Sequence, residues 1–316
     1  PAVPGPPPPP RRLGLITPAL DAEHLRAALL ARCVFPDDGS RVTCAVSGGA
    51  DSTALLVLAV AAGLQVTAVH VDHGLRPGSA AEADLVRATA ARFGAAFRAE
   101  RVHVADGPNL EERARDARFA VLPPDVLTGH TADDQAETLL VNLLRGAGSR
   151  GLSAMRPGPR RPLLALRRSE TEALCAAFGA EVVHDPSNLD PRHLRNRVRH
   201  ELLPLMAEMS RRDPVPVLTR QAQLARDESD LLDTLAAALD PTDARALAAA
   251  PVALARRAVR RWLAGDHPPD AATVERVLHV ARGKAIATEV GGGRRVERHR
   301  QRLSLGPAEP GHRGVT

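Results

Sequence analysis

The chain has 316 residues, of which 44% are hydrophobic and 25% are charged, enough for two globular domains with buried cores. Its net charge of +5 is carried by arginine, since Lys284 is the only lysine, and arginine suits a phosphate-rich partner. Aromatic residues amount to 2%, which argues against a protein that binds single strands by stacking bases on aromatic side chains.

From residue 41 to residue 145 the chain alternates between strand-like and helix-like segments. The predicted strands are 41–46, 65–71, 97–104 and 126–130, and the predicted helices are 51–62, 79–93, 110–120 and 132–145. Repeats of strand and helix with nearly continuous apolar strands predict a parallel sheet covered by helices on both faces. Ligands of such sheets bind at the carboxyl ends of the strands, so the loops at that edge are the candidate site.

The rest of the chain is mainly helical. A helix and a short strand complete the first domain, and four helices and a hairpin follow: 168–178, 181–184, 192–206, 214–239, 251–264, 270–282 and 285–305. The predicted fold class is therefore α/β, with a Rossmann-like parallel-sheet domain at 21–210 and a smaller, mostly helical domain at 211–316. The proline-rich stretch 1–20 is expected to be a disordered tail.

Composition also bears on location. The longest apolar run, Ala54–Leu64, is interrupted by Gly63 and is shorter than the roughly 20 residues that span a bilayer. The arginines near the start are followed by no apolar segment of a secretory signal. Three distant cysteines without a CxxC pair argue against disulfides and against zinc or iron–sulfur sites: Cys33, Cys44 and Cys175. We therefore expect a cytoplasmic protein with buried free thiols and no membrane association.

The most specific motif lies between the first strand and the first helix: Ser47, Gly48, Gly49, Ala50, Asp51 and Ser52. Adjacent glycines allow a sharp turn, and the free N–H groups of the following helix bind phosphate. An acidic residue alone would repel phosphate, so Asp51 indicates a bridging Mg²⁺. The simpler interpretation is a turn that only caps a helix. No GxxxxGK[ST] motif is present, which argues against a Walker-type nucleotidase.

A second polar cluster, His70-Val71-Asp72-His73, follows the second predicted strand. Two histidines and an aspartate are metal-ligand types, but their spacing at a strand end does not naturally converge on one ion. We interpret them as polar residues that line a nucleotide pocket, with a purely structural role as the alternative.

A third cluster contains Gly129, His130, Asp133, Asp134 and Glu137 and follows the fourth predicted strand. Acids in a first helical turn stabilise any helix, so a structural role is one interpretation. However, Glu137 lies one turn from both aspartates, so these carboxylates share a helix face. At the same edge as Asp51 they could hold Mg²⁺, attract a cationic substrate or act as a general base.

Two further segments are rich in arginine. Arg115 and Arg118 lie one turn apart in the predicted helix 110–120. They are candidates for a role in the chemistry, and the alternative is a solvated helix face with Glu–Arg pairs. The predicted helix 192–206 begins with several polar side chains: Arg192, Arg195, Asn196 and Arg199. It follows a turn rich in Asp, Ser and Asn that would aim these arginines at the catalytic edge, as expected for contacts with phosphate or RNA.

Together these motifs resemble the tRNA(Ile)-lysidine synthase family of PP-loop ATP pyrophosphatases. The matching segments occur in this order: SGGADS (47–52), HVDHGLR (70–76), NLEERARDARF (109–119), GHTADDQAET (129–138), RGAGSRGLSAM (145–155), RPLL (161–164) and DPSNLDPRHLRNRVR (185–199). The first marks only the superfamily, whereas the second, fourth and last are more specific. Phe119 stands where the family more often has tyrosine, so any hydrogen bond from that hydroxyl is lost.

The resemblance implies a PP-loop, adenine nucleotide alpha hydrolase-like catalytic domain and a reaction in two steps. ATP adenylates the C2 oxygen of the wobble cytidine in a tRNA(Ile) with a CAU anticodon. L-lysine then attacks C2 through its amine, and AMP leaves. Residues 211–316 would help to bind the tRNA. The sequence leaves the oligomeric state open, a homodimer included.

The resemblance also implies roles for individual residues. The nucleotide would be bound by Ser47, Gly48, Gly49, Ala50, Asp51 and Ser52 together with His70, Asp72, His73, Gly129 and His130. The catalytic residues would be Asp51, Asp133, Asp134, Arg115 and Arg195. Mg²⁺ would be held by Asp51 and Asp134. The tRNA would be contacted by Arg192, Arg195, Asn196 and Arg199.

Three other functions are alternatives. A PP-loop tRNA sulfurtransferase uses the same adenylation, but it needs a cysteine pair or cluster to carry sulfur. An amidotransferase-type ligase needs a glutamine-hydrolysing domain with a cysteine nucleophile. A fold that only senses nucleotides would leave the acidic residues of the third cluster unexplained.

Overall fold

The computed structural model describes residues 22–72, 79–103, 107, 110–183, 185, 190–265 and 268–308. The predicted tail 1–20 and His73 lie outside these residues. The chain divides into two compact units, Pro1–Val141 with Met155–Thr219, and Asn142–Ala154 with Arg220–Thr316. The predicted domain limits, 21–210 and 211–316, stay a prediction.

The first unit is built on a parallel sheet of three strands in the order β1-β2-β3: β1 Arg41–Ala45, β2 Gln65–Asp72 and β3 Ala96–Arg101. Its helices are α1 Ala22–Leu30, α2 Ala50–Ala61, α3 Ser79–Arg92, α4 Leu110–Val121, α5 Ala132–Leu144 and α7 Arg168–Ala177, where α5 extends into the second unit. After its polar first turn, helix α2 is apolar on all sides and almost wholly buried, as expected for a helix packed within a core. The alternation of strand and helix confirms the predicted α/β class.

The predicted fourth strand, 126–130, is wrong as an extended strand. Leu127 alone pairs with β1, through a bond from its N–H to the Thr43 carbonyl (2.8 Å) and one from the Ala45 N–H to its own carbonyl (2.9 Å). Prolines precede this bridge, and after it the Thr128 N–H turns to the Arg160 carbonyl (3.0 Å). These contacts stop the ladder, although residue 129 still lies beyond the carboxyl end of β1.

The predicted strand 181–184 is also wrong over the described residues 181–183, which carry no strand. The Val183 N–H instead bonds the Gly48 carbonyl (2.9 Å), so this segment supports the glycine turn and does not extend the sheet.

The predicted helix 192–206 is interrupted. It consists of α8 Leu194–Arg197, a π-helical turn Val198–Leu202, and α9 Leu203–Ser210. Pro204 lies in the first turn of α9 and has no N–H to donate to the preceding turn. The missing bond explains why the regular helix resets at this point.

The second unit is mostly helical, with a small antiparallel sheet. Its elements are α6 Ser149–Leu152, most of α10 Pro214–Ala237, α11 Ala244–Ala249, α12 Val252–Trp262, α13 Ala271–Ala281, β4 Ala287–Gly291, β5 Arg294–His299 and β6 Arg302–Pro307. The predicted hairpin has a third strand because Arg300 and Gln301 form a second turn at φ 45° and 70°. These residue types seldom adopt that conformation, so the sequence did not indicate the turn.

Candidate active site

The six-residue loop between β1 and α2 is a tight turn held by the Ser52 side chain, and no side chain caps the helix that follows it. Gly48 has φ +90°, and a Cβ there would stand 2.7 Å from a Val183 methyl group, so glycine is required. The Ser52 hydroxyl accepts from the Ser47 N–H (3.2 Å) and donates to the Gly49 carbonyl (2.9 Å). Gly49 caps α2 without a side chain, which leaves the first N–H groups of the helix facing outward. Helix termini with free N–H groups are common binding sites for phosphate.

The segment after the Leu127 bridge comes directly against this loop. A Cβ on Gly129 would stand 2.6 Å from the Asp51 carbonyl oxygen, so the two backbones touch. This contact brings the start of α5 next to the start of α2. The loop at 47–52 and the predicted third cluster therefore form one region, as their positions at strand ends indicated.

Four carboxylates in this region form what we call the acidic cluster: Asp51, Asp133, Asp134 and Glu137. Four arginines neutralise it: Arg167, Arg168, Arg195 and Arg199. Two of these arginines, Arg167 and Arg168, lie at the start of α7 and were not predicted. Buried charges of one sign are costly unless they are paired, and here each acid is paired.

Arg168 connects three members of the acidic cluster. Its Nε donates to Asp51 Oδ2 (3.2 Å), its Nη1 to Glu137 Oε1 (3.1 Å) and its Nη2 to Asp134 Oδ1 (3.1 Å). The second oxygen of Asp51 accepts a hydrogen bond from the buried Thr171 hydroxyl, one turn further along α7. The start of α7 therefore holds the Asp51 carboxylate of the loop at 47–52, which we call the nucleotide loop.

Glu137 is the most deeply placed acid of the cluster and is fully buried. Besides Arg168, it accepts from Arg195 Nε (2.8 Å) and from Arg199 Nε and Nη2 (2.7 and 3.0 Å). Arg195 also reaches Asp134 Oδ1 (3.1 Å). Arg195 and Arg199 were predicted to contact tRNA, but their guanidinium groups are engaged with these carboxylates.

Asp133 faces a different pair of groups. Arg167 donates to both of its oxygens (3.0 and 3.1 Å), and the Arg168 backbone N–H donates to Oδ2 (2.8 Å). Arg167 also pairs with Asp213, whose carboxylate accepts from the Val215 N–H (3.0 Å) at the start of α10. Arg167 thus joins the beginnings of two helices.

Burial and pairing with arginine shift the pKa values of these carboxylates in opposite directions. Burial raises the pKa of Asp51 above its ordinary value, and the bonds from Thr171 and Arg168 offset only part of that effect. Burial also acts to raise the pKa of Asp133 and of Asp134, but neighbouring arginines outweigh it and lower both pKa values. Asp133 and Asp134 are therefore ionised at neutral pH.

Several arginines lie close to His130, just before the start of α5 and beside the acidic cluster: Arg115, Arg161 and Arg195. The pKa of His130 is lowered to about 4, chiefly by burial; Asp134 opposes this effect, and the charges of Arg195, Arg115 and Arg161 add to it. Burial also lowers the pKa of Arg118, with a contribution from Arg115, and burial likewise lowers that of Arg161, with contributions from Arg160 and Arg115. His130 is neutral, with Nδ1 2.8 Å from the Thr128 hydroxyl. Like charges gathered in this way favour an anionic ligand.

The other predicted site residues that the structure describes do not belong to the acidic cluster. His70 is buried, and its Nδ1 lies 3.0 Å from the Val46 carbonyl, so it links the ends of β1 and β2. Asp72 lies 3.9 Å from Arg101. Arg192 is exposed and pairs with Asp190 (2.6 Å), whose carbonyl accepts from Asn196 (2.9 Å).

A cavity of about 230 Å³ opens next to the acidic cluster. Its polar wall is formed by Asp133, Glu137, Arg167, Arg168, Arg199 and Asp213, and its apolar wall by Leu203, Pro204, Ala207, Pro214 and Val215. A site with charges of both signs on one side and hydrocarbon on the other suits a small zwitterion with an aliphatic stem.

The cysteines show no sign of sulfur chemistry. Cys33, Cys44 and Cys175 are free, and burial raises the pKa of each thiol to about 12. Thiols with so high a pKa are unreactive. Cys44 and Cys175 are buried, as predicted, whereas Cys33 is only half-buried. Among the described residues, no helix has the length and apolar character needed to cross a membrane.

Comparison with known proteins agrees with this geometry. The model of the PP-loop domain family matches residues 22–206, and that of the TilS substrate binding domain matches residues 243–304. The fold and the matched domains therefore define an ATP-using enzyme of the PP-loop class.

Similar proteins of known function identify the family within the PP-loop class to which this chain belongs. The tRNA(Ile)-lysidine synthase of Nocardia farcinica is 43% identical over 77% of this chain and 78% of its own length. The tRNA(Ile)-lysidine synthase of Rhodococcus erythropolis is 42% identical over 78% and 80%. The chain belongs to the tRNA(Ile)-lysidine synthase family. This confirms the predicted family and does not favour the sulfurtransferase alternative.

Proposed function

We propose that this chain joins L-lysine to C2 of the wobble cytidine of a tRNA(Ile) with a CAU anticodon, at the expense of ATP. The observation that carries the proposal is the contact of the nucleotide loop with the acidic cluster through Arg168 and Gly129. One region then serves both steps, adenylation of the C2 oxygen and its displacement by an amine. Because tRNA is the substrate, we place the reaction in the cytoplasm.

ATP binding is supported by the start of α2, which no side chain caps, and by the arginines around His130. The outward N–H groups of residues 50–52 suit the phosphates, and Arg115 and Arg161 supply positive charge nearby. A C2 oxygen leaves poorly until it is esterified with phosphate. Fixed arginine charge stabilises the negative charge that develops as pyrophosphate and AMP depart.

Mg²⁺ commonly accompanies ATP, and Asp51 and Asp134 are the predicted ligands. In the arrangement observed here they do not fit the ion, because the Arg168 guanidinium fills the space between them. The described residues contain no group of three or more His, Cys, Asp or Glu side chains with the geometry of a metal site. We therefore assign no step to a metal held by these carboxylates.

L-lysine suits the cavity beside the acidic cluster. The aliphatic stem would lie against Leu203, Ala207 and Val215, and carboxylates such as Asp133 or Asp213 would face its ammonium groups. Asp133 is ionised at neutral pH, so it can attract the ammonium group. The amine must lose a proton before it becomes a nucleophile, and a carboxylate of the acidic cluster would accept that proton. Arg199 or Arg167 would face the lysine carboxylate.

The tRNA would be bound largely through its phosphates. Residues 294–302 of the second unit contain five arginines, and Arg192 in the first unit is exposed. The wobble base must be unstacked to reach the adenylating phosphate, as base-modifying enzymes require.

The test is a direct assay. The protein is incubated with ATP, labelled L-lysine and a transcript of tRNA(Ile) with a CAU anticodon, with the CAU-anticodon methionine tRNA as control. Lysine in the tRNA(Ile) fraction alone supports the proposal. ATP turnover without lysine in either RNA would contradict it.

A further inference from the structure

Arg168 lies between three carboxylates of the proposed active site, and the role we infer for it rests on the proposed function of that site. Its three guanidinium nitrogens each donate to a different carboxylate, those of Asp51, Asp134 and Glu137, at 3.1 to 3.2 Å. Glu137 is fully buried and Asp134 nearly so. Three carboxylates this close repel one another strongly at low local dielectric, so the cation between them is required to hold them in place.

The planar shape of the guanidinium matters as much as its charge. Arginine donates in several fixed directions, whereas an ammonium is a compact point charge. The Nε and the two Nη groups of Arg168 match three acceptors that come from two different helices, α2 and α5. Arg195 and Arg199 also neutralise Asp134 and Glu137, but among these three arginines only Arg168 forms an ion pair with Asp51.

We propose that Arg168 is a positioning residue: its guanidinium is the resident cation that orients Asp51 toward the acidic cluster and keeps divalent metal out of that cluster when no nucleotide is bound. The same side chain couples the nucleotide loop to the carboxylates of α5. A divalent cation would then enter this region together with the phosphates of the nucleotide.

The first test is chemical rescue. R168A removes the guanidinium and leaves a space of matching shape between three carboxylates. Added methylguanidinium should bind there and raise the thermal unfolding temperature of R168A in a saturable way, while AMP formation recovers in parallel. Tetramethylammonium at equal concentration carries the charge without N–H donors and should have no such effect. R87A, which removes an arginine from an exposed pair with Asp84, is the matched control.

Equal responses of R168A and R87A to methylguanidinium would overturn the proposal. Because R168A risks misfolding, a second measurement uses the unaltered protein. Mn²⁺ is titrated without nucleotide and followed by electron paramagnetic resonance, and again with a non-hydrolysable ATP analogue. We expect the protein to bind Mn²⁺ more than about tenfold more tightly with the analogue than without it. Equally tight binding without nucleotide, lost in D134N, would also overturn the proposal.

Discussion

Gly129 lies so close to Asp51 that a side chain at position 129 would collide with the Asp51 carbonyl oxygen, 2.6 Å from the position of a Cβ. A backbone atom cannot move aside as a flexible side chain can, so the nucleotide loop or the start of α5 would have to shift. This contact sets the spacing between the loop at 47–52 and the acidic cluster.

We therefore expect G129A to displace the nucleotide loop and to raise KM for ATP. Misplacement of reacting groups by about 1 Å is enough to lower activity on the order of tenfold or more. The measurement is KM for ATP at saturating lysine and tRNA. Gly148 offers a matched control, since it has negative φ and nothing within 4 Å of a Cβ. An ATP KM for G129A equal to that of G148A would show that the close approach is unimportant.

Replacing Glu137 with glutamine should destabilise the fold. The substitution keeps the shape but removes the charge that balances Arg195 and Arg199, and breaking a buried pair in this way costs about 3 kcal/mol or more. The free energy of unfolding in urea is the quantity to measure. E201Q removes the acid of an exposed pair with Arg197 and should cost less than about 1 kcal/mol. A comparable loss in both variants would contradict the buried role of Glu137.

The pKa of His130 predicts how stability depends on pH. Burial lowers the pKa of this histidine from its ordinary 6.5 to about 4, so the unfolded chain binds a proton that the folded protein excludes. The folded state should therefore lose stability as the pH falls from about 6.5 toward 4. Unfolding free energies measured across this window should fall less steeply for H130Q than for the unaltered protein. The exposed His24 serves as control, and a profile for H24Q that flattens as much as that of H130Q would refute the assignment.

Filling the cavity should separate the two steps of the reaction. A207F places a ring against the apolar wall, so we expect KM for lysine to rise on the order of tenfold or more, while adenylation of the tRNA persists. Quenched reactions resolved for adenylated and lysine-bearing tRNA would show the difference. Met209 is on the same helix, is 78% exposed and does not line the cavity, so M209F is the control. Loss of adenylation in A207F would place the lysine elsewhere.

The sequence predicted the nucleotide loop well because a strand, two glycines and a helix are local features. It predicted the grouping of Asp51 with Asp134 because loops at the carboxyl ends of neighbouring strands meet. It placed Arg195 and Arg199 on a surface for tRNA, since a run of arginines is usually exposed. The acids that draw them inward, chiefly Glu137, lie about sixty positions earlier in the chain.

Arg167 and Arg168 were missed, although they left a signal. Both lie at the amino end of α7, where the helix dipole disfavours positive charge. Two arginines at such a terminus indicate carboxylates nearby that compensate for the dipole, and Asp133 and Asp51 do so here. The prediction of a fourth strand at 126–130 was wrong for another reason. A segment that makes a single bridge, at Leu127, can have the same apolar sequence pattern as a full strand.

The most direct test of the account is the stoichiometry of one turnover. Protein in excess over CAU-anticodon tRNA(Ile) is mixed with ATP and L-lysine, and pyrophosphate, AMP and modified nucleoside are counted in the same quenched samples. A single site that adenylates and then transfers should yield the three products in equal amounts, with the added lysine on the wobble cytidine. Pyrophosphate and AMP released without lysine on that base, or lysine transferred without pyrophosphate, would contradict it.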